Sequence, residues 1–303
     1  MPTIDIDRIR SDLEEFTSAV DEEYYLNGAG LKDKAEFSRI YEKFSHLFNK
    51  EVIDYVQRYS KSVTGEEERR VRYLRAFLIN DYMENRVKEL SDKFLTMEAE
   101  TTVNVQGETL PFRQSAVIMA NERTRDRRAS IFQARNKVIE TFNLTLKERM
   151  LTLHKTAGEL GYPDYAALYE DTKGIELRSL ERVLKPFLDD TRVLYSRLMG
   201  ELLETKIGAP LSEAEKHDIS VAFRANEFDH FFKKENTVQT LVRTLAGMGI
   251  DLKGQKNIRL DVEERPKKSP RAFVSPIKVP LNIRLVIMPQ GGHDDYATLF
   301  HEA

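Results

Sequence analysis

The residue types best suited to chemistry stand in the last stretch of the sequence, Pro289-Gln-Gly-Gly-His-Asp-Asp-Tyr-Ala-Thr-Leu-Phe-His-Glu-Ala303. It follows the apolar run Ile283-Arg-Leu-Val-Ile287. A strand, a glycine turn and a helix carrying His301-Glu302 form the setting of the metal-binding spacing His-Glu-x-x-His. Two histidines four residues apart share one helical face, so both imidazoles reach one ion. The Glu beside the first His points elsewhere and takes a proton from metal-bound water, which attacks a scissile carbonyl. A catalytic zinc also needs a third protein ligand and keeps its fourth position for water. The second histidine of the spacing would stand two residues past Ala303, so the sequence is expected to stop inside its active-site helix. The dipeptide alone carries no weight, and on the residues by themselves an ordinary exposed helix is the default reading.

Other elements must position this pair. Asp294 or Asp295 is a natural N-cap for a helix beginning near Tyr296. Upstream, helical spacing dominates. Phe37, Ile40, Tyr41, Phe44, Leu47, Phe48, Val52, Tyr55, Val56 and Tyr59 predict one long amphipathic helix. Val71, Leu74, Leu78, Tyr82, Val87, Leu90, Phe94 and Met97 predict a second, begun by Thr64-Gly65 and the acidic Glu66, Glu67 and Glu68. Alternating Thr101, Val103 and Val105 before Gly107 predict a small hairpin. Helices are expected over 114–121, 126–143 and 145–161, and another with Pro163 in its first turn. A long helix over 176–207 should be kinked or split by Pro186. Ser212 is placed as the cap of a short helix, and 237–249 as a helix closed by Gly247 and Gly249. Strand patterns over 258–262, 272–274 and 283–287 come with five of the chain's ten prolines, between Pro266 and Pro289. They predict a small, irregular sheet with edges. The fold class is therefore mainly α, with long helices and a small irregular β-sheet near the C-terminal end.

Composition narrows the function classes. The chain has 303 residues, 41% hydrophobic and 32% charged, as globular proteins have. Its net charge of −3 argues against general nucleic-acid affinity. No cysteine is present, which excludes disulfides, thiolate metal sites and a thiol nucleophile. The start, Met1-Pro-Thr-Ile-Asp-Ile-Asp7, has no basic and apolar signal pattern, and no apolar run is long enough to span a bilayer. A cytoplasmic protein without membrane or nucleic-acid partners is expected.

Most remaining polar features read as structure. His293 reads as an exposed loop residue and His230 as packed among core aromatics. His46 and His154 read as members of amphipathic helices, and His217 as solvated. The basic run Arg123-Thr-Arg-Asp-Arg-Arg128 reads as a solvated helix start, with phosphate contact as its functional alternative. Asp261, Glu263 and Glu264 read as surface charge.

Patches from Leu153 onward resemble the zinc metallopeptidase family of thimet oligopeptidase and oligoendopeptidase F. They are Leu153-His-Lys-Thr-Ala-Gly-Glu-Leu-Gly-Tyr-Pro-Asp-Tyr-Ala-Ala-Leu168, Leu260-Asp-Val-Glu-Glu-Arg265, Arg271-Ala-Phe-Val274, the Arg284–Met288 strand and Asp295-Tyr-Ala-Thr-Leu-Phe-His-Glu-Ala303. The resemblance implies a zincin-like catalytic domain over 113–303, only its first part, behind a helical N-terminal domain over 1–112. It implies His301 as the first zinc ligand and Glu302 as general base. It also implies that Ala272, Phe273 and Val274 pair with the substrate backbone, and that short peptides are the substrates. One zinc ion belongs to the intact enzyme; this stretch alone is expected to be inactive. A non-enzymatic helical scaffold, related to such peptidases or not, is the competing class, and oligomeric state is left open.

Overall fold

The structure is a computed structural model and describes residues 5–303. In chain order its first half runs α1 (Ile6–Gly28), α2 (Phe37–Lys43), α3 (Lys50–Tyr59), α4 (Gly65–Asn85), α5 (Lys88–Glu100), β1 (Thr102–Val105), β2 (Glu108–Pro111), α6 (Phe112–Asn121) and α7 (Arg125–Glu159). Then come α8 (Tyr165–Lys173), α9 (Leu177–Ile207), α10 (Lys216–Ala222), α11 (Thr237–Gly247), β3 (Ile258–Asp261), β4 (Phe273–Lys278), β5 (Asn282–Val286) and α12 (His293–Glu302). The described chain is mainly helical with small sheets. No described helix is long and apolar enough to cross a membrane. The chain forms two compact units: Met1–Val20, Ala35–Leu95 and Phe142–Asp189 make one, and Asp21–Lys34, Thr96–Thr141 and Asp190–Ala303 the other. Each is built from three separated segments of the chain. The long helices α1, α7 and α9 contribute residues to both, so no single chain-order boundary divides them.

In the first unit an aromatic core gathers on Phe16, whose ring meets Tyr41, Phe44 and Phe48 edge-on at 5.0, 5.7 and 4.7 Å between centroids. Edge contacts of this kind suit the ring quadrupoles. Leu78, Ile79 and Met83 of α4, Leu153 and Ala157 of α7, and Leu168 of α8 complete the core. The periodicity over 37–59 serves two helices instead of one. Asn49 accepts a hydrogen bond from the Val52 N–H at 3.0 Å and begins α3 afresh, while Phe44, Leu47 and Phe48 are buried in the bend. The run over 71–97 breaks likewise at Arg86–Val87, where Val87 is buried. Conversely, the two helices expected over 126–161 fuse into α7, since neither glycine nor proline separates them. α9 continues through Pro186. Its neighbours there are exposed, so the carbonyl that proline leaves without a donor is open to solvent. Asp164, not Pro163, starts α8, accepting from the Ala167 N–H at 2.8 Å. His46 lies in the α2–α3 bend, 2.9 Å from Asp12.

Within this unit Asp81 accepts a hydrogen bond from the Tyr41 hydroxyl at 2.8 Å. Burial pushes its carboxyl up to about 7, against the lowering effect of that bond.

In the second unit β3, β5 and β4 form a sheet in that order, β3–β5 parallel and β4–β5 antiparallel. Phe273 faces Val286 and Val274 faces Leu285. The register shifts between Ser275 and Lys278, where Pro276 lacks a ladder donor. Leu241 of α11 and Leu299 of α12 pack with Leu285, Ile287, Ala272 and Leu252. Asp261 is not surface charge: at the end of β3 it is buried, and accepts from Arg265, from Lys268 Nζ at 2.8 Å and from the Tyr25 hydroxyl at 3.2 Å. Lys268, itself fully buried, also donates to the carbonyls of Asp261 and Glu263, both at 2.9 Å. The ring of Phe273 lies where a Cβ on Gly28 would stand, 2.8 Å from the Phe273 Cζ.

A second polar knot corrects two expectations. His217 is buried, and so is Arg128 of the supposedly solvated basic run. Both face Asp218, wholly buried on α10, which accepts from Arg128 Nη2 at 2.9 Å, Arg125 Nη2 at 3.0 Å and the Glu215 N–H at 3.1 Å. Burial alone would raise the Asp218 carboxyl, but the hydrogen bonds from Arg125, Arg128 and the Glu215 N–H hold it down to about 2.

Two outcomes are expected in denaturant titrations. For Asp81 the unfolded chain ionises first, near the ordinary value of about 3.9, so stability falls as pH rises from about 4 to about 7 and is level above. Asp81→Asn should abolish this decline, gaining roughly 1–3 kcal/mol relative to wild type across the window; a pH-independent difference would refute it. Asp218→Ala should cost about 3–5 kcal/mol at neutral pH by leaving Arg128 buried without its counter-charge. Because the folded carboxyl titrates below the unfolded one, wild type should lose this contribution as pH falls from about 4 toward 2. A neutral-pH loss below about 1 kcal/mol would contradict the role given to the knot.

Candidate functional site

α12 carries His301 and Glu302, and its beginning is held from outside. Gly291 and Gly292 have φ of +86° and +99°, backbone that side chains resist. A Cβ on Gly292 would fall 2.3 Å from Arg224 Nη2 and 2.6 Å from Asp229 Oδ1. Glycine is thus required there both for its backbone and for the approach of this ion pair. Asp229 lies in the short helical turn Asn226–Phe231. Its Oδ1 accepts from Arg224 Nη1 at 2.8 Å and from the His293 N–H, the first of α12, at 3.1 Å. The Gly292 N–H donates to the Phe232 carbonyl at 2.8 Å.

The N-cap expected from Asp294 or Asp295 is therefore supplied by Asp229. Asp295 reaches back instead, accepting from the N–H groups of Gln290 and, at 2.6 Å, Gly291. Burial raises the Asp295 carboxyl, and these two hydrogen bonds oppose the rise. Asp294 is exposed, 3.5 Å from Arg224 Nε. His293 is not a loop residue but the first of α12, half-buried and edge-on to Phe232 at 5.3 Å. Tyr296 packs on the same ring at 5.1 Å, and its hydroxyl donates to the Lys233 carbonyl at 2.7 Å. The aromatic run around His230 is no core: His230, Phe228 and Phe231 are exposed.

His301 and Glu302 stand at the far end of α12, about 12 Å from its start at about 1.5 Å per residue. His301 is exposed. Glu302 is half-buried, and its Oε2 accepts from the Val274 N–H at 3.1 Å. Val274 lies on β4, an edge strand whose other side pairs with β5. The fold thus brings Glu302 to the Ala272–Val274 strand. The three residues differ in access: Ala272 is buried, Phe273 half-buried over Gly28, and Val274 exposed. A cleft of about 260 Å³ reaches Ala272 but not Phe273, Val274, His301 or Glu302, and is lined also by Asp295 and Thr298. Thr298 precedes Glu302 by one helical turn on the same face.

Among the described residues no three His, Asp or Glu side chains converge as a metal-binding set. His301 offers one imidazole where a catalytic zinc takes three protein ligands, so the residues present do not by themselves fit such an ion. Arg224 and Asp229, which position α12, carry no local signature. Asp229 meets the His293 N–H across 64 residues of chain. Comparisons of the chain with protein-family models, curated proteins and solved structures find no match.

Gly292→Ala should destabilise the second unit by roughly 1–3 kcal/mol, through strain at positive φ and displacement of the Arg224–Asp229 pair. Asp229→Ala should cost about 2–4 kcal/mol, through the lost cap and the loss of the nearer carboxylate of buried Arg224, with Asp294 at 3.5 Å left as its counter-charge. In hydrogen exchange both should speed exchange over residues 293–297 more than over β5; equal protection in variant and wild type would rule out this anchoring.

Proposed function

We propose that this chain is the N-terminal part of a zinc-dependent oligopeptidase, cytoplasmic, that hydrolyses peptide bonds in short peptides. In this reading 113–303 begins a zincin-like catalytic domain. His301 contributes one imidazole ligand, and Glu302 is the general base. The edge of β4 at Ala272, Phe273 and Val274 receives the peptide backbone by strand addition. The observation that carries the reading is the 3.1 Å hydrogen bond between Glu302 Oε2 and the Val274 N–H. It joins the carboxylate that would accept a proton to the backbone that would align the substrate. A bound zinc ion would supply Lewis acidity. The chain's own contribution is orientation by β4 and proton acceptance by Glu302.

The test uses the protein as its whole gene encodes it, assayed for zinc content and for hydrolysis of a fluorogenic short peptide. Glu302→Gln should keep zinc and lower kcat/KM by at least about 100-fold. His301→Ala should lose both zinc and hydrolysis. Hydrolysis that survives either substitution, or a wild-type protein that neither binds zinc nor cleaves, would overturn the proposal.

A further inference from the structure

An open hollow of about 510 Å³ lies at the start of α12, and neither His301 nor Glu302 lines it. Its size is that of small-ligand pockets, but its lining is polar where most such pockets are apolar. Four cations line it, Arg123, Arg224, Lys233 and Lys234, against two acids, Asp229 and Glu235. Two of the cations are answered within the protein: Arg224 by Asp229, and Lys234 by Glu264, which lies outside the lining. Arg123 and Lys233 have no ion pair or side-chain hydrogen bond among the described residues. They come from different segments, the α6–α7 link and the loop before α11, yet both line the same hollow, so a single anion seated there can meet both.

Two buried groups point the same way. Arg224 is 6% exposed. It donates to Asn121 Oδ1 at 2.9 Å, Asp229 Oδ1 at 2.8 Å and the Gly291 carbonyl at 3.4 Å, and its Nε lies 3.5 Å from Asp294 Oδ2. A guanidinium has five donors, so capacity remains. The Asn226 side-chain oxygen is buried without any partner. Rotating an amide exchanges its oxygen for its NH2, which makes this position a donor, and Asn226 is part of the lining. Cations, spare guanidinium donors and an unsatisfied amide are together the complement of an oxyanion carrying more than one charge.

We propose that this cavity is a binding site for the phosphate group of a small molecule, held by Arg123, Lys233 and Arg224, with Asn226 as a further donor. It does not depend on the peptidase reading. Glu235 is the opposing charge at the same site, and its carboxylate limits affinity.

The experiment measures binding by calorimetric titration and thermal shift at constant ionic strength set with chloride. The probes are inorganic phosphate, a small phosphate monoester and acetate. Phosphate and the monoester should bind and raise the melting temperature, and acetate should bind at least tenfold more weakly. The monoester binding more tightly than inorganic phosphate would show that the rest of the cavity holds the carrier; equal affinity would assign the site to the free ion. Arg123→Ala with Lys233→Ala should weaken phosphate at least tenfold, and Glu235→Gln should tighten it several-fold. These side chains are exposed, so the variants should keep the wild-type melting temperature without ligand. No phosphate effect beyond chloride, acetate binding as tightly as phosphate, or unchanged affinity in both variants would each overturn the proposal.

Discussion

One carboxylate holds the candidate site in place. Asp229 accepts simultaneously from a buried guanidinium and from the first N–H of α12. That pairing neutralises Arg224, which would otherwise be a costly buried charge, and satisfies a helix-start donor that no local side chain serves. It also explains Gly292, whose missing side chain is what lets the pair lie against the turn. This contact sets where α12 begins, and Tyr296, Leu299 and Glu302 hold it farther along.

Polar burial recurs in the same unit. Asp218 gathers Arg125, Arg128 and His217; Asp261 gathers Lys268, Arg265 and Tyr25. Both acids are held low because hydrogen bonds from cations outweigh the effect of burial. Such knots contribute less to net stability than their number of bonds suggests, since desolvation offsets much of the attraction. Losing one partner is another matter, because the other is then stranded. These knots therefore act chiefly as constraints on which segments meet.

The mainly helical class, the hairpin after α5 and the three late strands were legible because each depends on local periodicity. Helix ends were less so. The apolar spacing over 37–59 is the same for one helix or two, and only the Asn49 side chain decides. The site divides similarly. The strand, glycine turn and helix around His301 and Glu302 could be read locally; the hydrogen bond from the Val274 N–H to Glu302 could not, since 28 residues separate them. The anchors could not be read. Asp229 sits among aromatics that suggest a core, and its partner is far along the chain. His217 and Arg128 read as solvated because their neighbours in sequence are charged, while in space both turn to the one buried carboxylate of Asp218.

The Glu302–Val274 contact also bears on how β4 avoids unwanted company. An open strand edge invites pairing with any extended chain, including another copy. Here the outward N–H of Val274 is already occupied by a carboxylate of the same molecule, and Pro276 and Lys278 follow on the strand. The edge is thus guarded by a side chain, by a residue without a donor and by a charge. For an extended peptide to join this strand at Val274, it must first displace Glu302. Admission of a strand and release of that carboxylate are then one exchange, in which the guard becomes free at the moment the edge is filled.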